Sequence, residues 1–139
     1  MIRVIAGNLL DAFDNGIDVI GHQTNCKGKS VAGVARQIKR KFRSYQKTYY
    51  NHCKNRNDND LLGTYQLIKV RRGYIANLFG QKGYGRGKRQ TSYKGLLKAL
   101  VDFKQENPDK TLALPFGIGA GLGGGDWDKI YDLIDEVFN

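Results

Sequence analysis

Six glycines, at 117, 119, 121, 123, 124 and 125, crowd a loop between a short apolar run ending at Pro115 and a helical pattern opening near Asp126. Glycine lets backbone amides approach a ligand closely and adopt conformations that other side chains forbid. A helix N-terminus just beyond adds unpaired N–H groups and a partial positive charge. Together these favour an anionic ligand, with a phosphate-bearing small molecule as the first expectation and a flexible turn as the plainer alternative. Few groups nearby can move protons. His22 stands at the end of a strand and can act as general acid or base near neutral pH, or sit inward as a hydrogen-bonded core histidine. Asp126 can position a water or protonate a leaving oxygen, or cap the following helix, a role worth about 1 kcal/mol. Lys82 can stabilise developing negative charge, or be solvated.

The elements that must position these groups follow from apolar spacing. Residues 2–6 are β-branched and loosely alternating, which predicts a first strand, and residues 9–13 predict a short helical turn. A second strand is expected at 18–23, running into a polar loop at 24–31. One helix is expected over 32–52, where Val34, Ile38, Phe42, Tyr45 and Tyr49 form a core-facing stripe. Residues 64–70 and 74–79 predict a hairpin turning at Arg71, Arg72 and Gly73. Thr91 or Ser92 can cap a helix carrying Leu96, Leu97, Leu100 and Phe103. A strand at 112–114 and a closing helix at 126–138 complete the pattern. Strands alternating with helices predict a single domain over 1–139, a three-layer α/β/α sandwich around a mixed central sheet. In such folds ligands sit beyond the carboxyl ends of the strands, where loops 24–31, 80–90 and 116–125 would converge.

At 139 residues, 40% hydrophobic and 26% charged, the chain has the composition of a soluble globular domain. No apolar run reaches the roughly 18 residues of a membrane-spanning helix, and the N-terminus turns polar too soon for a signal peptide. Two cysteines, Cys26 and Cys53, without metal-ligand spacing, predict a reducing, cytoplasmic setting without structural disulfides or zinc. With no carboxylate pair or His cluster in the sequence, no metal is expected, and no cofactor. The formal net charge is +10, with basic residues concentrated at 27–54 and 82–94. Such a balance suits phosphate neutralisation on nucleic acid, attraction of another polyanion, or a solvated basic helix face. No nucleic-acid module signature accompanies it.

Three motifs in order resemble the macro domain family of ADP-ribose-binding proteins: residues 7–10, residues 21–35, and residues 115–127. The tract 77–81 (Asn-Leu-Phe-Gly-Gln) and residues 84–86 are similar to the branch holding ADP-ribose 1″-phosphate phosphatases and phage-encoded members. The resemblance implies that Asn8 and Leu9 lie beside the adenine. It places Asn25 and residues 29–34, Lys29, Ser30, Gly33 and Val34 among them, around the distal ribose. Gly117 and Ile118 would open the phosphate loop, and the backbone amides of Gly119, Ala120, Gly121 and Leu122 would hold the diphosphate. A nest of N–H groups suits a diphosphate, and Gln23, Asn25 and Ser30 offer the short amide and hydroxyl partners that a ribose needs. Asn8 stands where the family usually has an aspartate that accepts from the adenine amino group, and Val31 replaces a common glycine. The chain also stops after its last helix, where many members continue into another strand.

The implied reaction is hydrolysis of ADP-ribose 1″-phosphate to ADP-ribose and phosphate. Asn25 would orient the ribose, loop amides would stabilise charge, and His22 with Asp126 would manage water and protons. A non-catalytic module that binds ADP-ribose or an NAD-derived relative is the second expectation. Removal of ADP-ribose from proteins is the third. Related hydrolases use a lysine and an aspartate; Lys82 lies near the lysine's position, but Gly123 occupies the aspartate's. A bacterial or phage-infected cell would be the setting.

Overall fold

A strand buried on both faces anchors the molecule. β1 (Val19–Thr24) has almost no exposed residue, as expected of a central parallel strand whose two faces are both covered. It pairs in parallel along its whole length with β3 (Gly73–Phe79), Val19 opposite Tyr74 and Thr24 opposite Phe79. β2 (Tyr65–Val70) forms the antiparallel hairpin with β3, and the two-residue β4 (Leu112–Ala113) lies parallel to the start of β1. The order is β2-β3-β1-β4, a mixed four-stranded sheet. The computed structural model describes residues 2–85 and 87–139.

Alternation along the strands sends side chains to two cores. Ile20, Ile68, Ile75 and Phe79 face a layer made of a 3₁₀ helix (Leu9–Asn15), α1 (Gly33–Lys41), α2 (Tyr45–Lys54) and the single turn α3 (Asp58–Leu61). Val19, Ala76 and Leu78 face α4 (Tyr93–Glu106) and α5 (Trp127–Phe138), where Leu96, Leu100, Phe103, Ile130 and Ile134 pack. The three-layer expectation therefore describes the molecule. Burying each such large apolar side chain stabilises by roughly 1.5–3 kcal/mol, which is why the layers hold. Ser92, not Thr91, caps α4 by accepting from the Gly95 amide at 3.0 Å.

Two elements differ from expectation. Residues 2–6 form no strand; Val4 and Ile5 are 65% and 74% exposed, and none of their backbone groups joins the sheet. β-branched sequence becomes strand only where an edge and a face are offered to it. The helix expected over 32–52 is broken in two at residues 42–44. Phe42 takes extended dihedrals and packs edge-on against Phe13, ring centroids 6.1 Å apart. The interruption lets α2 turn back along the sheet and insert Tyr45 and Tyr49 under β1 and β3. The strand expected at 112–114 is one residue shorter, and Gly73 begins β3 one residue earlier.

Candidate functional site

A cavity of about 540 Å³ opens beyond the carboxyl end of β1, walled by residues of the loop after β1, the start of α1 and the glycine loop before α5. The fold brings eleven expected site residues into its wall. His22, Gln23, Asn25, Lys29, Gly33 and Val34 come from one side, and Gly117, Ile118, Gly119, Gly121 and Leu122 from the other. Among the described residues no aspartate or glutamate lines it, whereas Lys29 and Arg36 do. The local field therefore suits an anion.

The glycine loop shows how backbone alone can build an anion site. Its carbonyls are tied down from behind: Gly123 O accepts from the amides of Gln90 and Thr91 at 2.7 and 3.1 Å, and Gly119 O accepts from Thr91 Oγ1 at 2.7 Å. Turns consume the amides of Ile118, Ala120, Gly124 and Gly125. The amides of Gly117, Gly119, Gly121, Leu122 and Gly123 have no partner among the described residues, and all five residues line the cavity. Gly119 holds this path with φ +75°, a left-handed conformation that favours glycine. A Cβ at Gly123 would stand 2.8 Å from Gly119 O, so no side chain fits there. That closes the one position at which the protein-hydrolase pattern needs an aspartate.

Thr91 and Gln81, which the sequence did not single out for this site, carry the support. Gln23 Nε2 donates to Gln81 Oε1 and to Thr91 Oγ1, each at 2.8 Å, and Gln81 Nε2 donates to Gly83 O at 2.7 Å. Gln23 Oε1 and Thr24 Oγ1, both on wall residues, are buried without a partner among the described residues. The only signal for Thr91 was its place before a helix, which suggested a cap.

Asn25 is 6% exposed and organises its own loop. Its Oδ1 accepts from the Lys27 and Lys29 amides and the Tyr49 hydroxyl, and its Nδ2 donates to Lys29 O at 2.9 Å. A carboxamide nitrogen carries two hydrogens, so one remains for a ligand. His22 is 2% exposed, with Nε2 2.9 Å from both Tyr45 Oη and Asn77 Oδ1. Tyr45 donates to Asn77 Oδ1 at 2.6 Å, so the imidazole proton must sit on Nε2, leaving Nδ1 as the basic nitrogen. Burial is the main cause that pushes the His22 pKa down to about 4, against a smaller opposing pull from Asn77. The ring is thus the hydrogen-bonded core histidine of one expectation while still touching the cavity.

Six expected residues lie outside the wall. Asn8 is exposed and spends its Oδ1 capping the 3₁₀ helix at the Leu10 amide, 2.9 Å away, with Leu9 following it in that helix. Ser30 donates to Gln46 Oε1. Ala120 turns toward the α5-side core, and Lys82 is solvated while its carbonyl accepts from the Cys26 amide at 2.9 Å. Asp126 is exposed and caps α5 by accepting from the Asp128 amide at 3.0 Å. Its capping reading therefore describes it, and the structure does not bring its carboxylate to the cavity. Tyr84, in the motif 84–86, lines the cavity, whereas Arg86 falls outside the described residues. Burial raises the thiols of Cys26 and Cys53, to about 12 and 11, so neither is a nucleophile at neutral pH. Among the described residues no group of three or more His, Cys, Asp or Glu is placed to hold a metal. No helix among them is long and apolar enough to cross a membrane.

The whole path of the chain is shared with known proteins. The macrodomain of Thermus aquaticus DarG is 29% identical and superposes with a TM-score of 0.79, covering 99% of this chain and 89% of that one. An ADP-ribose 1″-phosphate phosphatase of Meyerozyma guilliermondii is 30% identical over 124 residues, 80% of this chain. The chain has the macro domain fold. This macro domain spans 65% of the length of the Meyerozyma protein. Thermosipho africanus DarTG, solved in complex with ADP-ribose, shares the fold at 20% identity and a TM-score of 0.73, over 90% of this chain and 36% of that one. No family model matches the chain.

Proposed function

We propose that this macro domain binds ADP-ribose-type nucleotides and hydrolyses ADP-ribose 1″-phosphate to ADP-ribose and phosphate. The observation that carries the reading is that five residues whose amides have no partner among the described residues line a cavity in which no described carboxylate stands. Oriented N–H groups of this kind are matched to a diphosphate, and act strongly where water is excluded. The phosphatase named among the relatives and the ADP-ribose complex among the structural neighbours support the same ligand.

In this reading Gly119, Gly121 and Leu122 donate to the diphosphate, and the spare Nδ2 hydrogen of Asn25 holds a hydroxyl of the distal ribose. A water attacks phosphorus as the bond to the anomeric oxygen breaks. One proton of that water passes to the leaving oxygen, which becomes the free hydroxyl of ADP-ribose, and the water's OH stays on the released phosphate. His22, neutral at pH 7, accepts a hydrogen bond from that water through Nδ1 and orients it. With a pKa near 4 it is too weak a base to carry a proton for long. Asp126 has no part in the step.

The test is phosphate release from ADP-ribose 1″-phosphate, alongside calorimetric titration with ADP-ribose. Release together with product binding is expected. Asp126→Ala should keep full turnover and lose about 1 kcal/mol of stability. His22→Gln should lower kcat about tenfold, the worth of one orienting hydrogen bond, with little change in ADP-ribose affinity. Binding without release would make the domain a reader of the nucleotide, and loss of turnover in Asp126→Ala would overturn the assignment of roles.

A further inference from the structure

We infer that Phe116 is the platform on which this site holds a nucleobase, by its face alone. The site then accepts the diphosphate riboses of 6-oxopurine nucleosides as readily as ADP-ribose, a conclusion that rests on the nucleotide reading proposed above. Exposed apolar side chains gather in one place on this molecule. Four of the seven large ones exposed among the described residues, Val31, Tyr84, Phe116 and Leu122, stand in the wall of the cavity. Apolar surface concentrated at the mouth of a cavity marks a place that a ligand covers.

Phe116 is the most exposed of the four at 73%, yet its ring is held. It packs on Trp127 with centroids 4.9 Å apart, and Trp127 packs on Tyr131, one turn along α5, at 5.9 Å. Trp127 in turn joins the core beneath α5. Phe116 is therefore steadied by a partner that the core anchors, while most of its ring meets solvent. A ring immobilised in this way stacks a second π-system at little ordering cost.

The two sides of the cavity differ in what they offer. Residues 81 and 82 are tied to Cys26, the neighbour of Asn25. Cys26 Sγ donates to Gln81 O at 3.4 Å, and the Cys26 amide donates to Lys82 O at 2.9 Å. Tyr84, two residues on, thus belongs with Asn25 and the distal ribose. Phe116 stands apart from them, just before the amide row and against α5. A ligand whose ribose sits at Asn25 and whose diphosphate follows the amides brings its base to Phe116.

No side chain among the wall residues from 115 to 123 can read the edge of a base there, since all are Pro, Phe, Gly, Ile or Leu. Pro115 has no N–H, and its carbonyl accepts from the Ile118 amide at 3.1 Å. Asn8, which the sequence offered for the adenine, is outside the wall and spends Oδ1 on the Leu10 amide. Hydrogen-bonded edges discriminate strongly between bases, whereas every base has a ring face. Stacking alone tolerates the exchange of a 6-amino for a 6-oxo group.

Calorimetric titration with ADP-ribose, its hypoxanthine analogue and inorganic pyrophosphate tests this on wild type and three variants. The hypoxanthine nucleotide should bind within about threefold of ADP-ribose. Phe116→Ala and Phe116→Leu should each weaken both nucleotides about tenfold, and Phe116→Tyr, which keeps the ring, should bind them as wild type does. Phe116→Leu is the sharper variant, because it keeps apolar cover and removes the π-face. Pyrophosphate carries no base, so its affinity should stay the same throughout, which also shows that each variant is folded. Trp127 is the only tryptophan of the chain, and its fluorescence should respond to either nucleotide and not to pyrophosphate. Rejection of the hypoxanthine nucleotide by about tenfold or more, full affinity in Phe116→Leu, or loss of pyrophosphate in step with the nucleotides would each overturn the inference while ADP-ribose binding stood. Absence of binding by both nucleotides would overturn the reading beneath it as well.

Discussion

In the folded protein the imidazole of His22 is neutral at every pH above about 4, whereas in the unfolded chain it titrates near 6.5. Between those values the unfolded state binds a proton that the folded state refuses, so acid favours unfolding. His22 should therefore withdraw about 3 kcal/mol of stability as pH falls from 6.5 to 4, and withdraw nothing above 6.5. Urea denaturation of wild type and His22→Gln across that range measures the difference; parallel curves would contradict it. Single residues also show where sequence legibility ends. The glycine loop announced itself because glycine spacing is local. His22 could be read two ways because its partners, Tyr45 and Asn77, stand 23 and 55 positions away. Asn8 keeps its short amide for a local cap, a contact that no adenine is needed to explain.

Among the elements, the clasp behind the glycine loop makes a sharp claim. Thr91 Oγ1 and the Gly125 amide both hold Gly119 O, so losing the hydroxyl removes one of two fasteners and loosens the neighbouring amides. Thr91→Val should reduce ADP-ribose affinity about five- to tenfold, the worth of one hydrogen bond, and Thr91→Ser should restore it. A fall in melting temperature with unchanged affinity would show the hydroxyl to be structural only. Thr91 was invisible to motif reading because it acts on a loop 28 residues further along. The broken helix shows the same limit: the stripe from Val34 to Tyr49 fits one helix well, and the Phe13 ring that Phe42 packs against comes from another element. Strand propensity at residues 2–6 failed in the same way, since pairing depends on an edge that local sequence does not describe.

At the scale of the whole molecule, layer order was the most legible property, because alternation along β1 and β3 separates two apolar sets that need two coverings. The α4–α5 core sits across the sheet from α1. Phe103→Ala should cost about 3–5 kcal/mol in denaturant unfolding while leaving ADP-ribose affinity intact at temperatures where the variant is folded. A variant that unfolds to that degree and also loses ligand would mean the two faces are coupled. The same architecture bears on solvent exchange. β3 is hydrogen-bonded along both edges, and β1 along its whole edge with β3 but only at Val19 and Ile20 with β4. The amides that make those bonds, shielded by both layers, should trade hydrogen for deuterium only as slowly as the domain unfolds. The loop amides of Gly119, Gly121 and Leu122 are different: the carbonyls of Gly119, Gly121 and Gly123 are fastened, yet these amide hydrogens have no partner among the described residues. They should exchange within the earliest labelling time although the loop keeps its shape, and fall silent when a ligand covers them. Rapid labelling there would report vacancy rather than motion.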